Sequence, residues 1–381
     1  MDSILKEYDE FLKGYRVRDL LDRIEDWKNE IKHSPAFDKF YKNVDPSRFW
    51  AQPYKPRMLP YGNLQKSIVK KTLVSFFTSD SPVIYYGPFG SGKTVLGEAS
   101  ANVYYRLLSE YADIPEFSRY YMVYQMNNAS TKSQIWRGDM PAGEKGMLTI
   151  KSFPMFLMHA YVMGNVVSLD EFTQAPEEIQ GWLNSIVEVG SEIDTPYGRI
   201  PVSPVKRVVI IFNPAVTSNT ARDLAYSIEN RAGRKIPVEM SPREDVVEIL
   251  RNVLPEAPDF LRRYVASLVA EAREKGSRSS IRTALSLAKQ LNIEFSDHKN
   301  FDRIHEDLIN MLNLDPKAFV YRVSGRLLLK ESDVMAILKH ADYRSFISLL
   351  NQYGLKDFLE TVREVMQEQD WSGQNFFDLL P

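Results

Sequence analysis

Residues 87–94 read Gly-Pro-Phe-Gly-Ser-Gly-Lys-Thr, the G-x-x-x-x-G-K-[ST] spacing of a phosphate-cradling loop. Such a cradle needs backbone freedom. Gly87, Gly90 and Gly92 let successive N–H groups, that of Ser91 among them, turn inward towards phosphate oxygens. Lys93 is placed to reach the β- and γ-phosphates, and the Thr94 hydroxyl to hold Mg²⁺. Two further groups suit the same chemistry. Asp170-Glu171 closes the apolar run Val166 to Leu169. Asp170 can hold Mg²⁺ through water, and Glu171 can orient and deprotonate an attacking water. Asn213 closes a second apolar run, Val208 to Phe212, and its amide can hydrogen-bond a γ-phosphate or that water.

These side chains act together only if the chain brings them to one edge of one sheet. Apolar, β-branched runs predict strands over 83–86, 120–125, 165–170, 207–212 and 235–240, with helical stretches between them. That alternation predicts an α/β fold with a parallel sheet and helices on both faces. Ligands bind such sheets at the carboxyl ends of the strands, where all three groups fall. Pro214 stops the pairing directly after Asn213. Between Gln125 and Asp170 the sequence predicts a short helix near 131–136, a Gly-rich excursion over 138–152 and a helix ending at Met163. Within the excursion, 147–150 can pair as a strand. Pro196-Tyr197-Gly198 predicts a β-hairpin before the Asn213 strand.

Four segments follow. Residues 1–60 read as a helical extension with a Pro-marked linker, 61–240 as a nucleotide-binding domain, 241–295 as a helical lid and 296–381 as a mixed, mainly helical extension. In the first, Val17, Leu20, Leu21, Ile24, Trp27 and Ile31 form one helical stripe, which packs on this subunit or on a neighbour. The linker, with Tyr54 and Lys55, reads as a strap over the core. In the lid, Ser241 with Glu244 suggests a capping box. Arg282 sits in a first helical turn, where a cation is electrostatically unhelpful, which favours a phosphate-facing role. In the last segment, 319–329 suggests a hairpin, helices are expected from about 332, 343 and 355, and the tail 371–380 is apolar enough to dock.

Composition narrows the partners. Lys and Arg number 48 against 50 Asp and Glu, a net charge of −2, so nucleic acid is allowed as a partner but not favoured. The chain has no cysteine, which removes disulfides, thiolate metal sites and cysteine catalysis. The uncharged stretch from Phe153 to Leu169 is short for a membrane span, and Pro154, His159, Gly164 and Asn165 interrupt it. A helix followed by the acidic strand explains it better. The expectation is a soluble, cytoplasmic protein without a membrane partner.

The order of phosphate loop, Asp170-Glu171, hairpin, Asn213-Pro214, a later Arg and the Ser279-Ser280-Ile281-Arg282 helix start resembles the AAA+ ATPases, a class of P-loop NTPases. The hairpins before the acidic strand and before Asn213 resemble the helix-2-insert clade. Within it, Asp170 through Asn213-Pro214 is most similar to the MoxR and dynein-related ATPases, including the CbbQ/NorQ-like activators. The resemblance covers roughly residues 60–295. It implies ATP and Mg²⁺ as ligands and a homo-oligomeric ring, usually hexameric, with ATP between subunits. It implies sensor roles for Asn213 and Arg282, and makes Arg231 the arginine finger that enters the neighbour's site. It also implies a chaperone-like remodeller or activator with a protein client or a von Willebrand A-domain partner. Three departures stand out. Phe89 replaces a loop Pro, Phe172-Thr173-Gln174-Ala175 replaces Ile-Asn-Arg-Ala, and Arg231-Ala232 replaces Arg-Phe, with Arg234 as the alternative finger. The reading is an ATP hydrolase acting on a protein partner. The alternatives are a helicase-like nucleic-acid motor and an assembly switch held by ATP.

Overall fold

The computed structural model describes residues 3–13, 18–44, 54–57, 59–144, 147–187, 190–214, 226–257, 259–274, 277 and 279–297. The chain divides into two compact units, Met1–Pro60 with Gln65–Glu239, and Tyr61–Leu64 with Met240–Pro381.

Three helices open the first unit: α1 (Ser3–Leu12), α2 (Arg18–Lys32) and α3 (Pro35–Asn43). The start of α3 is local chemistry. Ser34 Oγ accepts the Phe37 N–H at 3.2 Å, and Pro35 fills a first-turn position where no donor is needed. The apolar stripe of α2 packs on its own chain. Leu20, Ile24, Trp27 and Ile31 are buried, and Trp27 and Ile31 join Phe37 and Phe40 in the central core. Val17 lies outside the described residues.

Then come α4 (Asn63–Thr78), β1 (Val83–Tyr86), α5 (Lys93–Tyr111), β2 (Tyr121–Gln125) and α6 (Lys132–Ile135). The hairpin β3 (Arg137–Glu144) and β4 (Met147–Pro154) leads to α7 (Phe156–Met163), β5 (Val166–Asp170) and α8 (Glu177–Val187). A second hairpin, β6 (Glu192–Thr195) and β7 (Gly198–Pro201), precedes β8 (Arg207–Phe212), α9 (Tyr226–Arg231) and β9 (Arg234–Pro237). Five strands form one parallel sheet in the order β2-β5-β8-β1-β9. The mostly apolar runs of β1, β2, β5 and β8 fit a sheet covered on both faces, while β9, at the edge, buries Ile236 alone. On one face the Tyr85 hydroxyl bonds Thr72 Oγ1 of α4 at 2.6 Å and Ser100 Oγ of α5 at 3.0 Å. On the other, Ile84, Met122, Leu169 and Ile210 share a core with α7, α2 and α3. Tyr54 exchanges two backbone hydrogen bonds with Tyr121, at 3.2 and 2.9 Å, so the linker straps the free edge of β2.

The uncharged stretch resolves into the end of β4, then α7, a left-handed Gly164 (φ 80°) and β5. Among the described residues, no helix is long and apolar enough to cross a membrane. The short helix α6 carries a capping box between Thr131 and Gln134. The excursion pairs further than 147–150, from Arg137↔Pro154 to Glu144↔Met147. Tyr197, at the tip of the second hairpin, meets the Phe40 ring edge-on at 6.1 Å.

In the second unit lie α10 (Arg243–Val253), α11 (Asp259–Glu274) and α12 (Ile281–Asp297). The expected Ser241 capping box does not form. Pro242 (φ −62°) takes the N-cap position without a side-chain bond, which leaves Ser241 one residue too early. The Ser241 carbonyl instead accepts Arg273 Nη1 at 2.6 Å. The expected elements beyond 297 lie outside the described residues.

Candidate active site

Strand register sets the site. Tyr86 pairs with Phe212, so Gly87 and Asn213 leave the sheet at the same level. Leu169 pairs with Ile210, which brings Asp170 and Glu171 alongside. From β1 the chain runs to the far edge at β2, and only at the end returns past β1 to β9. The carboxyl end of β1 is therefore a switch point, where an open α/β sheet offers a crevice.

The phosphate loop takes a shape that only glycine tolerates. Gly87, Gly90 and Gly92 have φ of 155°, 76° and 90°. A Cβ on Gly87 would lie 2.1 Å from the carbonyl oxygen of Val238, whose N–H bonds Tyr86 O at 2.8 Å. Gly92 then caps α5 without a side-chain bond, and a helix start of this kind, with free N–H groups and a positive dipole end, suits an anion. Buried Lys93 donates to Gly87 O (3.0 Å), Pro88 O (2.8 Å) and Asn213 Oδ1 (2.8 Å). Burial pushes its ammonium down to about 8, against the pull of Asp170 and Glu171. The backbone N–H of Ser91 donates to Pro88 O at 3.4 Å, which tightens the loop.

The acidic pair is held just as closely. Thr94 Oγ1 donates to Asp170 Oδ2 at 2.6 Å, and the Glu171 N–H to Asp170 Oδ1 at 2.9 Å. Glu171 (φ 53°, ψ 37°) is the one non-glycine with positive φ among the described residues. That conformation costs on the order of 1–3 kcal/mol, a strain that gathers at functional sites. The Glu171 carboxylate receives Asn213 Nδ2 at 2.9 Å on both oxygens and Gln174 Nε2 at 3.0 Å on Oε2. Asn213 thus links ammonium to carboxylate. Its oxygen must face Lys93 and its NH₂ must face Glu171, which fixes the amide orientation.

Gln174 escaped the sequence reading, which marked it only as a departure. Its signal was its spacing. Phe172–Gln174 forms a 3₁₀ turn, in which positions i and i+3 eclipse, so the third residue after Glu171 stacks over it. The structure brings together Lys93, Thr94, Asp170, Glu171 and Asn213, and does not add Arg231. Gly233 N bonds Pro82 O and Arg234 pairs with Val83, so half-buried Arg231 lies at the opposite, amino edge of the sheet. The four residues of β1 span roughly 13 Å between the two edges. Arg282 lies exposed in the first turn of α12, in the second unit.

The residues present fit a nucleotide with Mg²⁺. Lys93 brings an ammonium against the loop carbonyls of Gly87 and Pro88, and the hydroxyl of Thr94 with the carboxylate of Asp170 is an all-oxygen donor set. Mg²⁺ commonly takes one or two such protein groups and fills its shell with phosphate and water. Among the described residues, no cluster of three or more His, Asp or Glu offers an all-protein metal cage.

In the sheet the acidic strand lies beside the Asn213 strand, and that strand beside the one carrying the loop, the order typical of AAA+ proteins. The fold is an α/β fold of the AAA+ type. No protein-family model matches the chain, and no curated protein matches it. Among solved structures it is similar to the Thermotoga maritima RuvB Holliday junction branch migration motor, at 15% identity and TM-score 0.39, over 78% of this chain and 83% of that one. It is similar to NtrX from Brucella abortus in complex with ATP, at 14% identity and TM-score 0.41, over 82% and 69%. A Cytophaga hutchinsonii protein described as a candidate ATPase gives 14% identity and TM-score 0.36, over 83% and 86%.

Proposed function

We propose that this chain hydrolyses ATP with Mg²⁺ between the subunits of a homo-oligomeric, hexameric ring and uses the cycle to remodel or activate a protein partner in the manner of MoxR-type ATPases. The observation that carries the reading is Asn213, bonded to Lys93 on one side and to Glu171 on the other. One amide reports on the phosphate end and on the carboxylate that would take a proton from water.

Each group has a distinct task. The loop N–H groups and Lys93 hold the phosphates. Thr94 and Asp170 would hold Mg²⁺, which when bound offsets charge on the β- and γ-phosphates. Glu171 orients the water and accepts its proton, and Asn213 and Gln174 fix the carboxylate that does so. Arg231 would complete a neighbour's site, and Arg282 would respond to the phosphates of its own. An arginine finger is worth ~10³–10⁵ in rate in related phosphate-loop enzymes, so assembly should control turnover. A von Willebrand A-domain protein is the partner class to try first. The near-balanced charge, −2, gives no general attraction to nucleic acid.

The test is ATP turnover per subunit against protein concentration, with mass followed in parallel and single-stranded DNA present or absent. A rate that climbs with assembly and ignores DNA supports the reading. Strong DNA stimulation replaces it with a nucleic-acid motor, and an assembled ring without turnover replaces it with an ATP-held switch.

A further inference from the structure

At the amino edge of the sheet, opposite the phosphate loop, a cleft of about 840 Å³ opens between α2 and the loop that leads into β8. Arg23, Lys206 and Arg231 line it. Lys206 is the unusual member, at 5% exposure. Its ammonium lies 4.3 Å from the centre of the Tyr161 ring, and among the described residues it has no hydrogen-bond acceptor and no ion pair. A ring face is a weak substitute for the acceptors that a buried ammonium loses. The nearby carboxylate is already taken: Asp80 receives Arg23 Nη2 at 2.5 Å and Arg207 Nη1 at 3.4 Å. Arg207 in turn spends donors on Phe76 O and Pro204 O, both at 2.6 Å. The three Lys206 donors therefore have the cleft as their outlet.

We propose that this cleft is a second anion site, in which Lys206, flanked by Arg231 and Arg23, takes a single phosphoryl group. Asp26 and Glu30, both exposed on α2, stand on the same cleft and would repel an extended polyanion. The lining thus selects a compact phosphate-type anion over a nucleic-acid backbone. Two sources share that chemistry, free inorganic phosphate and the terminal phosphate of a nucleotide. The site does not depend on hydrolysis at the loop.

The experiment is calorimetric titration of inorganic phosphate into full-length Lys93→Ala protein, which silences the phosphate loop, with acetate at equal ionic strength as comparator. One phosphate per chain should bind and acetate should not. Lys206→Met in the same background should weaken phosphate about tenfold or more, as loss of a charged hydrogen-bonding partner does. Arg231→Ala, at a half-buried position outside the core, should weaken it too and serves if Lys206→Met fails to fold. Competition by ATP would assign a nucleotide's terminal phosphate as the ligand; its absence would assign free phosphate. No phosphate binding, equal acetate binding, or phosphate affinity unchanged by both substitutions would overturn the site.

Discussion

Gln174 and Lys206 show how single residues acquire roles from their surroundings. Gln174 holds one oxygen of Glu171 at 3.0 Å and, in the proposed reaction, would position the proton acceptor. Gln174→Ala should lower ATP turnover about tenfold while leaving nucleotide affinity unchanged, as loss of one orienting hydrogen bond would. Equal turnover, or a parallel loss of affinity, would deny it that role. Lys206 makes a pH-dependent prediction. Burial pushes its amine down to about 8 from an ordinary 10.5. Below the lower value both folded and unfolded chains carry the proton, and the cost of the buried charge is constant. Between the two values the folded chain has shed a proton that the unfolded chain keeps, so stability climbs with pH. Lys206→Met should therefore stabilise the protein most at about pH 7 in phosphate-free buffer, and its advantage should fade as pH rises past about 10. Thermal midpoints of the two proteins across that range would show it. A gain independent of pH would mean that the amine titrates alike in the folded and unfolded chains and that burial does not lower it. Sequence made Lys93, Thr94, Asp170, Glu171 and Asn213 legible because their types and spacing are constrained by chemistry. It did not make Gln174 legible, whose role depends on a 3₁₀ turn, nor Lys206, whose burial depends on Tyr161 and Asp80, distant in sequence.

Among elements, α5 is fitted to the sheet through Gly97. A Cβ there would lie 2.5 Å from Tyr121 Oη and 2.8 Å from Ser168 Oγ. The Tyr121 hydroxyl joins Ser168 Oγ at 2.7 Å and Thr94 O at 3.1 Å, so it ties both strands to the residue that would meet Mg²⁺. Gly97→Ala should cost roughly 1–3 kcal/mol by overpacking and weaken nucleotide binding. Adding Tyr121→Phe and Ser168→Ala, which remove the two obstructing oxygens, should restore much of the stability. Urea unfolding of the single and triple variants measures both, and a single variant as stable as the parent would contradict the packing. Four of the sheet strands were readable as runs of mostly large apolar residues, whereas β9, Arg-Lys-Ile-Pro, buries Ile236 alone and lies at Arg234–Pro237, not over 235–240. The β3–β4 hairpin was readable only over its Met147–Ile150 part, because Gly138, Pro141 and Gly143 dilute the signal of the partner strand. At α10 a sequence signature failed for a local reason: Pro242 intervenes between Ser241 and the helix.

At the scale of the molecule, the amino-terminal helices belong to the core of the parallel sheet. Phe40 is fully buried, beside the Tyr197 ring of the second hairpin and the His159 ring of α7. Phe40→Ala should cost about 3–5 kcal/mol in unfolding of the full chain, the range for deleting a core aromatic. A loss below about 1 kcal/mol would mean that these helices fold apart from the sheet. The sequence allowed packing on this subunit or a neighbour; only the tertiary contacts of Trp27, Ile31, Phe37 and Phe40 decide between them. In the proposed ring Arg231 of one chain would serve the site of another, a role that a single chain does not display.

The most direct test of hydrolysis at this site is single-turnover cleavage of ATP by Glu171→Gln beside the parent protein, with ATP affinity measured on both. Glutamine can still accept the Asn213 amide but cannot take a proton from water. Affinity should be retained and cleavage should slow by roughly 10²–10⁴-fold, the worth of a positioned base. Cleavage by Glu171→Gln at the parent rate would contradict the account.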